Sequence, residues 1–241
     1  MSSYIFAGAF AVSLLGSVVQ AVCGFGYGPL NMSLLPYLLP YAQAVALAGL
    51  CGSTTAVMVA VSGWRYVNWR KVWPCTVTSV ILSGFFVWLS ARAADRLMLH
   101  LLGGVLIALG VYSLFFSDRI RIRPTLRNGV IAGAISGVTS GLFAVGGPPM
   151  ALYLIGVADS NDEYRSTLNA HFCVNSLMTT FMRWRTGVFT AQTMRLYALL
   201  LAALLIGTWI GGKIFHRLDQ KKLRKVVYGY LIVSGLLLFT K

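Results

Sequence analysis

The sequence predicts an all-α protein that crosses a membrane many times and consists of two related halves. Three observations predict it. Of 241 residues, 57% are hydrophobic and 11% charged, whereas soluble domains carry about a quarter charged residues. The apolar residues gather in runs that approach the ~20 needed for a spanning helix. The order of these runs, with the glycines and prolines inside them, occurs twice along the chain.

The first run extends from Tyr4 to near Leu39 and is interrupted at Gly24–Pro29. Ala42–Ser62, Pro74–Ser90 and Leu97–Phe116 follow it. A short polar stretch with Arg119, Arg121 and Arg123 comes next. The second series opens with Asn128–Val157, interrupted at Gly141–Pro149. It continues with Ser166–Met182, Met194–Gly212 and Leu223–Thr240. The start of the chain lacks a basic n-region, so the first run reads as a retained membrane segment rather than a cleaved signal.

The duplication rests on matched features. Gly28-Pro29 corresponds to Gly147-Pro148, and Arg65 to Trp69 corresponds to Arg185 to Phe189. Gly104 and Gly110 correspond to Gly229 and Gly235. The offsets are 119, 120 and 125 residues, drifting upward as small insertions would make them. The expected units are residues 1–116 as a first repeat of four segments, 117–127 as a basic linker, and 128–241 as a second repeat.

Each repeat opens on a segment too long for one crossing. Tyr4–Leu39 would span about 54 Å as a straight helix, against a hydrocarbon core of ~30 Å. Proline removes a backbone donor and clashes with the preceding turn. Glycine tolerates angles that other residues resist. Together they unwind the helix. Unwound backbone at membrane depth survives only where protein buries it or where it lines a wet cavity. Helix ends exposed there carry unpaired N–H groups and partial positive charge, which bind anions. Matched Gly/Pro breaks in two halves point to a transporter's substrate site.

The net charge of +14 comes from Lys and Arg lying between apolar runs. That pattern is the positive-inside bias of membrane proteins and does not indicate nucleic-acid binding. If each broken segment crosses once, the two sides carry eleven and nine basic residues. If each turns back or splits into two crossings, they carry fourteen and six. The stronger bias favours the second arrangement, with the halves as inverted repeats and both termini outside the cytoplasm.

Candidate site residues follow. Gly24, Gly26, Gly28 and Pro29 form the first break, and Gly141, Gly146, Gly147 and Pro148 the second. Ser53 and Thr54 lie in the second segment. In the sixth, His171 and Asn175 are four apart and share a helix face. Hydroxyl, amide and imidazole groups of this kind either ligate a polar substrate or hydrogen-bond between helices. Arg65, Arg183 and Arg185 lie near segment ends and read as anchors that snorkel to the headgroups. Cys23, Cys51, Cys75 and Cys173 form no CxxC pair, which leaves no redox or zinc motif. His100, His171 and His216 are scattered, so a membrane enzyme is disfavoured and no cofactor is expected.

These features together resemble the sulfite exporter TauE/SafE family of membrane permeases. The resemblance rests on Gly24 to Pro29, on Gly141 to Pro148 followed by Met150 to Leu154, on Asn175, and on Arg185 to Phe189. It implies transport of a small sulfur-containing anion, such as sulfite or an organosulfonate, across the bacterial inner membrane. The glycine-rich breaks are the matching substrate region. The partners so implied are that anion, the lipid bilayer and a coupling proton or ion. An anion channel of the same architecture is the alternative.

Overall fold

The structure, a computed structural model, describes residues 3–23, 26–115, 125–214 and 220–240. Gly24 and most of the expected linker lie outside the described residues. The described residues form ten α-helices, one short 3-10 turn and no strand. They are α1 Ser3–Cys23, α2 Tyr27–Leu38, α3 Tyr41–Ser62, α4 Trp69–Ser90 and α5 Asp95–Phe115. Then come α6 Leu126–Phe143, α7 Gly147–Ile155, α8 Asn161–Arg185, α9 Ala191–Ile214 and α10 Gln220–Leu238. Helices α1, α3, α4, α5 and α9 are long and apolar enough to cross a bilayer.

Element ends differ from hydropathy in an instructive way. Helix α4 begins at Trp69, where the Asn68 side chain accepts from the Lys71 N–H, five residues before the apolar run at Pro74. Helix α8 begins at Asn161, capped by Ser160, with Asp162 and Glu163 in its first turn. Carboxylates suit the positive end of a helix, but they place that turn outside an apolar window. The second break is also shorter than its glycines suggest, because Gly141 stays inside α6.

Both broken segments turn back on themselves. Leu38, at the end of α2, lies against Gly8 near the start of α1, while Tyr27 and Asn31 lie against Gly16. Tyr153 of α7 lies against Gly129 at the start of α6. Each segment is therefore an antiparallel hairpin of a long helix and a short one.

Glycines set the packing between hairpins and their neighbours. A methyl group on Gly133 would collide with the Cys75 backbone, and one on Gly137 would stand 2.6 Å from the Ser79 carbonyl oxygen. Gly141 meets Ser83 in the same way, so α6 and α4 run parallel with their backbones touching. Gly207 meets Leu14 and Ser17, and Gly211 meets Val18 and Ala21, so α9 runs parallel to α1. Lipid supplies no hydrophobic drive for helix association, and small residues gain the close van der Waals contact that replaces it. Helices α3 and α8 run antiparallel, with Gly49 beside Arg183 and Gly63 beside Ser166. So do α5 and α10, with Gly103 beside Leu238 and Gly110 beside Tyr228. Exchanging α1–α5 for α6–α10 thus maps the α1–α9 contact onto the α6–α4 contact and returns the other two pairs onto themselves.

Gly137→Val should destabilise the protein by about 1–3 kcal/mol, the usual range for overpacking. Gly104→Ala should leave it unchanged, since nothing lies within 4 Å of a methyl group there. Thermal unfolding in detergent, followed by size-exclusion recovery, separates the two outcomes.

Candidate functional site

The two hairpin tips meet. A methyl group on Gly28, in the first turn of α2, would collide with the carbonyl oxygen of Ala144 at the tip of the second hairpin. Helix α6 ends there with Ala144 in the left-handed region at φ 56°. The Ala144 N–H bonds to Ser140 and the Val145 N–H to Thr139, which closes the helix end. Left-handed geometry is costly for alanine. Strain of this kind persists where its surroundings over-determine it. Here the Gly28 backbone is close against the Ala144 carbonyl.

Beside the tips lies a cavity of about 100 Å³, room for several water-sized particles. Its wall includes Gly26, Gly28 and Pro29 from the first break and Gly146, Gly147 and Pro148 from the second. The N-caps of α2 and α7 are Gly26 and Gly146, and neither makes a side-chain capping bond. Pro29 and Pro148 sit in first turns, where a missing N–H costs nothing. The Tyr27 N–H is taken by Gln20 Oε1 at 3.2 Å, and Gln20 itself lines the cavity.

Helices α3 and α8 complete the wall. From α3 come Gly49, Gly52 and Ser53, with the Ser53 hydroxyl donating to the Gly49 carbonyl. From α8 come Asn169, Phe172, Asn175, Thr179 and Arg183. The Asn175 Oδ1 accepts from the Ser79 and Ser83 hydroxyls at 3.1 and 2.9 Å. Both bonds fix the oxygen toward α4, and the amide nitrogen is the end of the side chain they leave untied.

Arg183 departs most from the sequence reading. It is buried at 4% exposure, so it is not a headgroup anchor. Arg65 and Arg185 are exposed, as anchors should be. The Arg183 Nη2 donates to the carbonyls of Ser140 and Gly141, each at 3.1 Å. Both lie in the last turn of α6, the negative pole of that helix, and the Ser140 carbonyl also accepts from the Ala144 N–H. Its Nη1 faces Gly49, where a methyl group would stand 2.7 Å from it. The ion pairs among the described residues join Lys71 to Asp159 and Glu163, not Arg183. Its charge therefore meets carbonyl dipoles on one side and the cavity on the other.

The structure brings Gly26, Gly28, Pro29, Gly146, Gly147, Pro148, Ser53 and Asn175 to one cavity. It does not bring Gly141, Thr54 or His171 there. Gly141 packs on α4 and presents its carbonyl to Arg183. The Thr54 hydroxyl pairs with the Tyr197 hydroxyl at 2.8 Å. His171 is fully buried, with Nδ1 2.9 Å from the Thr76 hydroxyl and Nε2 3.5 Å from that of Ser136. The Ser136 hydroxyl donates to the Gly146 carbonyl, so this chain supports the second break from behind. A periodic signal could have found Arg183: His171, Asn175, Thr179 and Arg183 recur every four residues on one buried face.

A polytopic helical bundle with a polar, cation-bearing cavity between two broken helices has the layout of a membrane permease. The chain belongs to the sulfite exporter TauE/SafE family, whose model matches residues 9–238. It is 26% identical over 227 residues to a "Probable sulfite/organosulfonate exporter TauE" of Cupriavidus necator, covering 91% of this chain and 88% of that protein. No solved structure matches it significantly.

Gly52 and Gly147 separate filling the cavity from breaking the fold. A methyl group on Gly52 has nothing within 4 Å, and one on Gly147 meets only the Phe172 ring at 3.8 Å. Gly52→Val and Gly147→Val should insert normally yet lose at least about tenfold in transport, a change of ~1.4 kcal/mol. Gly28→Val should lose folded protein as well, because it strikes backbone. Fluorescent-fusion expression read beside vesicle flux tells these outcomes apart.

Proposed function

We propose that the protein is a secondary transporter that exports a small sulfur-containing anion, sulfite or an organosulfonate, by alternating access around its two broken helices. The observation that carries this reading is Arg183. A buried guanidinium without a carboxylate partner is costly, and an anion in the cavity it lines would supply the missing charge. Gly28 and Gly147, in the first turns of α2 and α7, bring the positive ends of those helices to the same wall. Phe172 and the glycines of α3 leave space for a compact oxyanion. The relative's name, a sulfite/organosulfonate exporter, agrees with an anion of this size and charge.

The membrane arrangement in this proposal follows from helix directions. The antiparallel pairing of α3 with α8 and of α5 with α10 supports inverted repeats, related by an axis in the membrane plane. An axis along the membrane normal would make each of those pairs parallel. The ends of α3 and α5, together with the starts of α4, α6 and α8, then lie at one end of the bundle. Arg65, Arg70, Lys71, Arg127 and Arg165 gather there, which supports that end as cytoplasmic and both termini as extracytoplasmic. The protein accordingly resides in the bacterial inner membrane, and the repeats fall on either side of the linker 117–127.

Purified protein in liposomes should show saturable sulfite flux and counterflow. Losing a charge-assisted hydrogen bond costs ~1.5–3 kcal/mol. Arg183→Gln should therefore raise the apparent KM for sulfite about tenfold or more, with Arg183→Lys between it and the parent. Wild-type KM in Arg183→Gln would refute the anion site. Linear flux without counterflow would instead make the protein a channel.

A further inference from the structure

The two ends of the bundle are closed by the same contact made twice, with different chemistry. Gln43 is the third residue of α3, and Glu163 is the third residue of α8. Lys71 is the third residue of α4, and Thr193 is the third residue of α9. These pairs are equivalent under the exchange of halves that maps α3 to α8 and α4 to α9. The caps correspond too: Asn68 Oδ1 accepts the Lys71 N–H, and Thr190 Oγ1 accepts the Thr193 N–H.

At one end Lys71 Nζ lies 2.8 Å from Asp159 Oδ2 and 2.9 Å from Glu163 Oε1. At the other, Gln43 Nε2 donates to Thr193 Oγ1 at 3.2 Å. Both contacts join one half of the chain to the other. They lie at opposite ends, because α3 and α8 run antiparallel and each supplies its first turn. One is a three-membered ion cluster, and its counterpart is a single neutral hydrogen bond. Neither takes part in the cavity wall.

We propose that these are the two closing contacts of the transport cycle, and that their difference sets which side the empty cavity opens toward. The proposal rests on the alternating-access reading above. In such a cycle, opening one end breaks the contact there while the other holds. A two-state equilibrium shifts by the difference between what each state keeps and loses. The ion cluster makes two contacts between the halves where the neutral end makes one, so the empty carrier stays shut at the Lys71 end and opens at the Gln43 end. Under the orientation proposed above, that end faces away from the cytoplasm. Partly exposed ion pairs are weak and screened by salt. The bias is therefore a matter of several fold, which substrate binding can overcome.

The test uses a thiol in the cavity as a reporter of access. Ser53→Cys, with Cys23 and Cys173 replaced by Ser, is labelled with a membrane-impermeant maleimide added to either face of oriented vesicles. Lys71→Thr with Glu163→Gln copies the neutral contact onto the charged end. It should raise labelling from that face about two- to tenfold relative to the other. Adding Gln43→Glu with Thr193→Lys should move the cluster to the opposite end and reverse the ratio. High salt should reduce the parent's bias and leave the neutral double variant unaffected. Unchanged labelling ratios in both variants, each well folded by size exclusion, would overturn the proposal. So would a cavity thiol unlabelled from either face. Sulfite flux of the unmodified protein is measured alongside. Flux with unmoved ratios sinks the closing contacts alone. Ratios that move without sulfite flux support the closing contacts and leave only the substrate reading refuted.

Discussion

A helix interrupted inside a bilayer leaves backbone donors and acceptors that lipid cannot satisfy, and this constraint governs the rest of the molecule. Each interruption has to be enclosed by protein. The chain solves the problem by bringing its two interruptions together, so that the start of α2 abuts the tip of the α6–α7 hairpin at Gly28 and Ala144. What remains open between them is a small polar space, floored by the first turns of two short helices. The cavity is thus a by-product of satisfying broken backbone, and the helix starts at its floor carry partial positive charge before any side chain is considered.

Arg183 serves both sides of this arrangement. Through Nη2 it bonds the Ser140 and Gly141 carbonyls in the last turn of α6, where the interruption ends the helical ladder. Its remaining guanidinium face adjoins Gly49 and the cavity. One side chain therefore stabilises the negative end of a helix and leaves a positive charge where the positive ends of two others point. That sharing explains how a buried arginine is retained with carbonyl dipoles as its described partners. It also ties the shape of the second hairpin to whatever occupies the cavity.

Much of this was legible in the sequence. Hydropathy located every helix, and the Gly/Pro runs located both interruptions to within a few residues. Gly28, Gly147 and Asn175 were singled out and do line the cavity. Arg183 was misread because charge near the end of an apolar run usually snorkels, and one-dimensional hydropathy does not show which face of α8 packs on α3 and α4. His171 was overvalued for a related reason. A helix turns about 100° per residue, and a shared face does not say which neighbour that face meets. His171 meets Thr76 and Ser136, whereas Arg183, three turns further on, meets the cavity. Gly141 looked like part of a flexible run, yet its role is to admit the α4 backbone at Ser83. The difference between a glycine that unwinds and a glycine that packs lies in its tertiary neighbour.

The glycine seam between α1 and α9 bears on how such a chain is made. Helix α1 leaves the ribosome long before α9, and the surface it is shaped to fit begins at residue 191. Until then its notch at Leu14 to Ala21 has no partner, and the Ser13 hydroxyl lacks the Leu200 carbonyl to which it donates in the finished protein. The first hairpin, complete at Leu38, must wait in the membrane while about 150 further residues are synthesised before α9 begins at Ala191. The second hairpin has no such delay, since α4 is already present when α6 is inserted. Assembly is therefore asymmetric in time although the α1–α9 and α6–α4 seams are alike in the finished protein. The step that completes it is the late arrival of α9 at a helix laid down long before it.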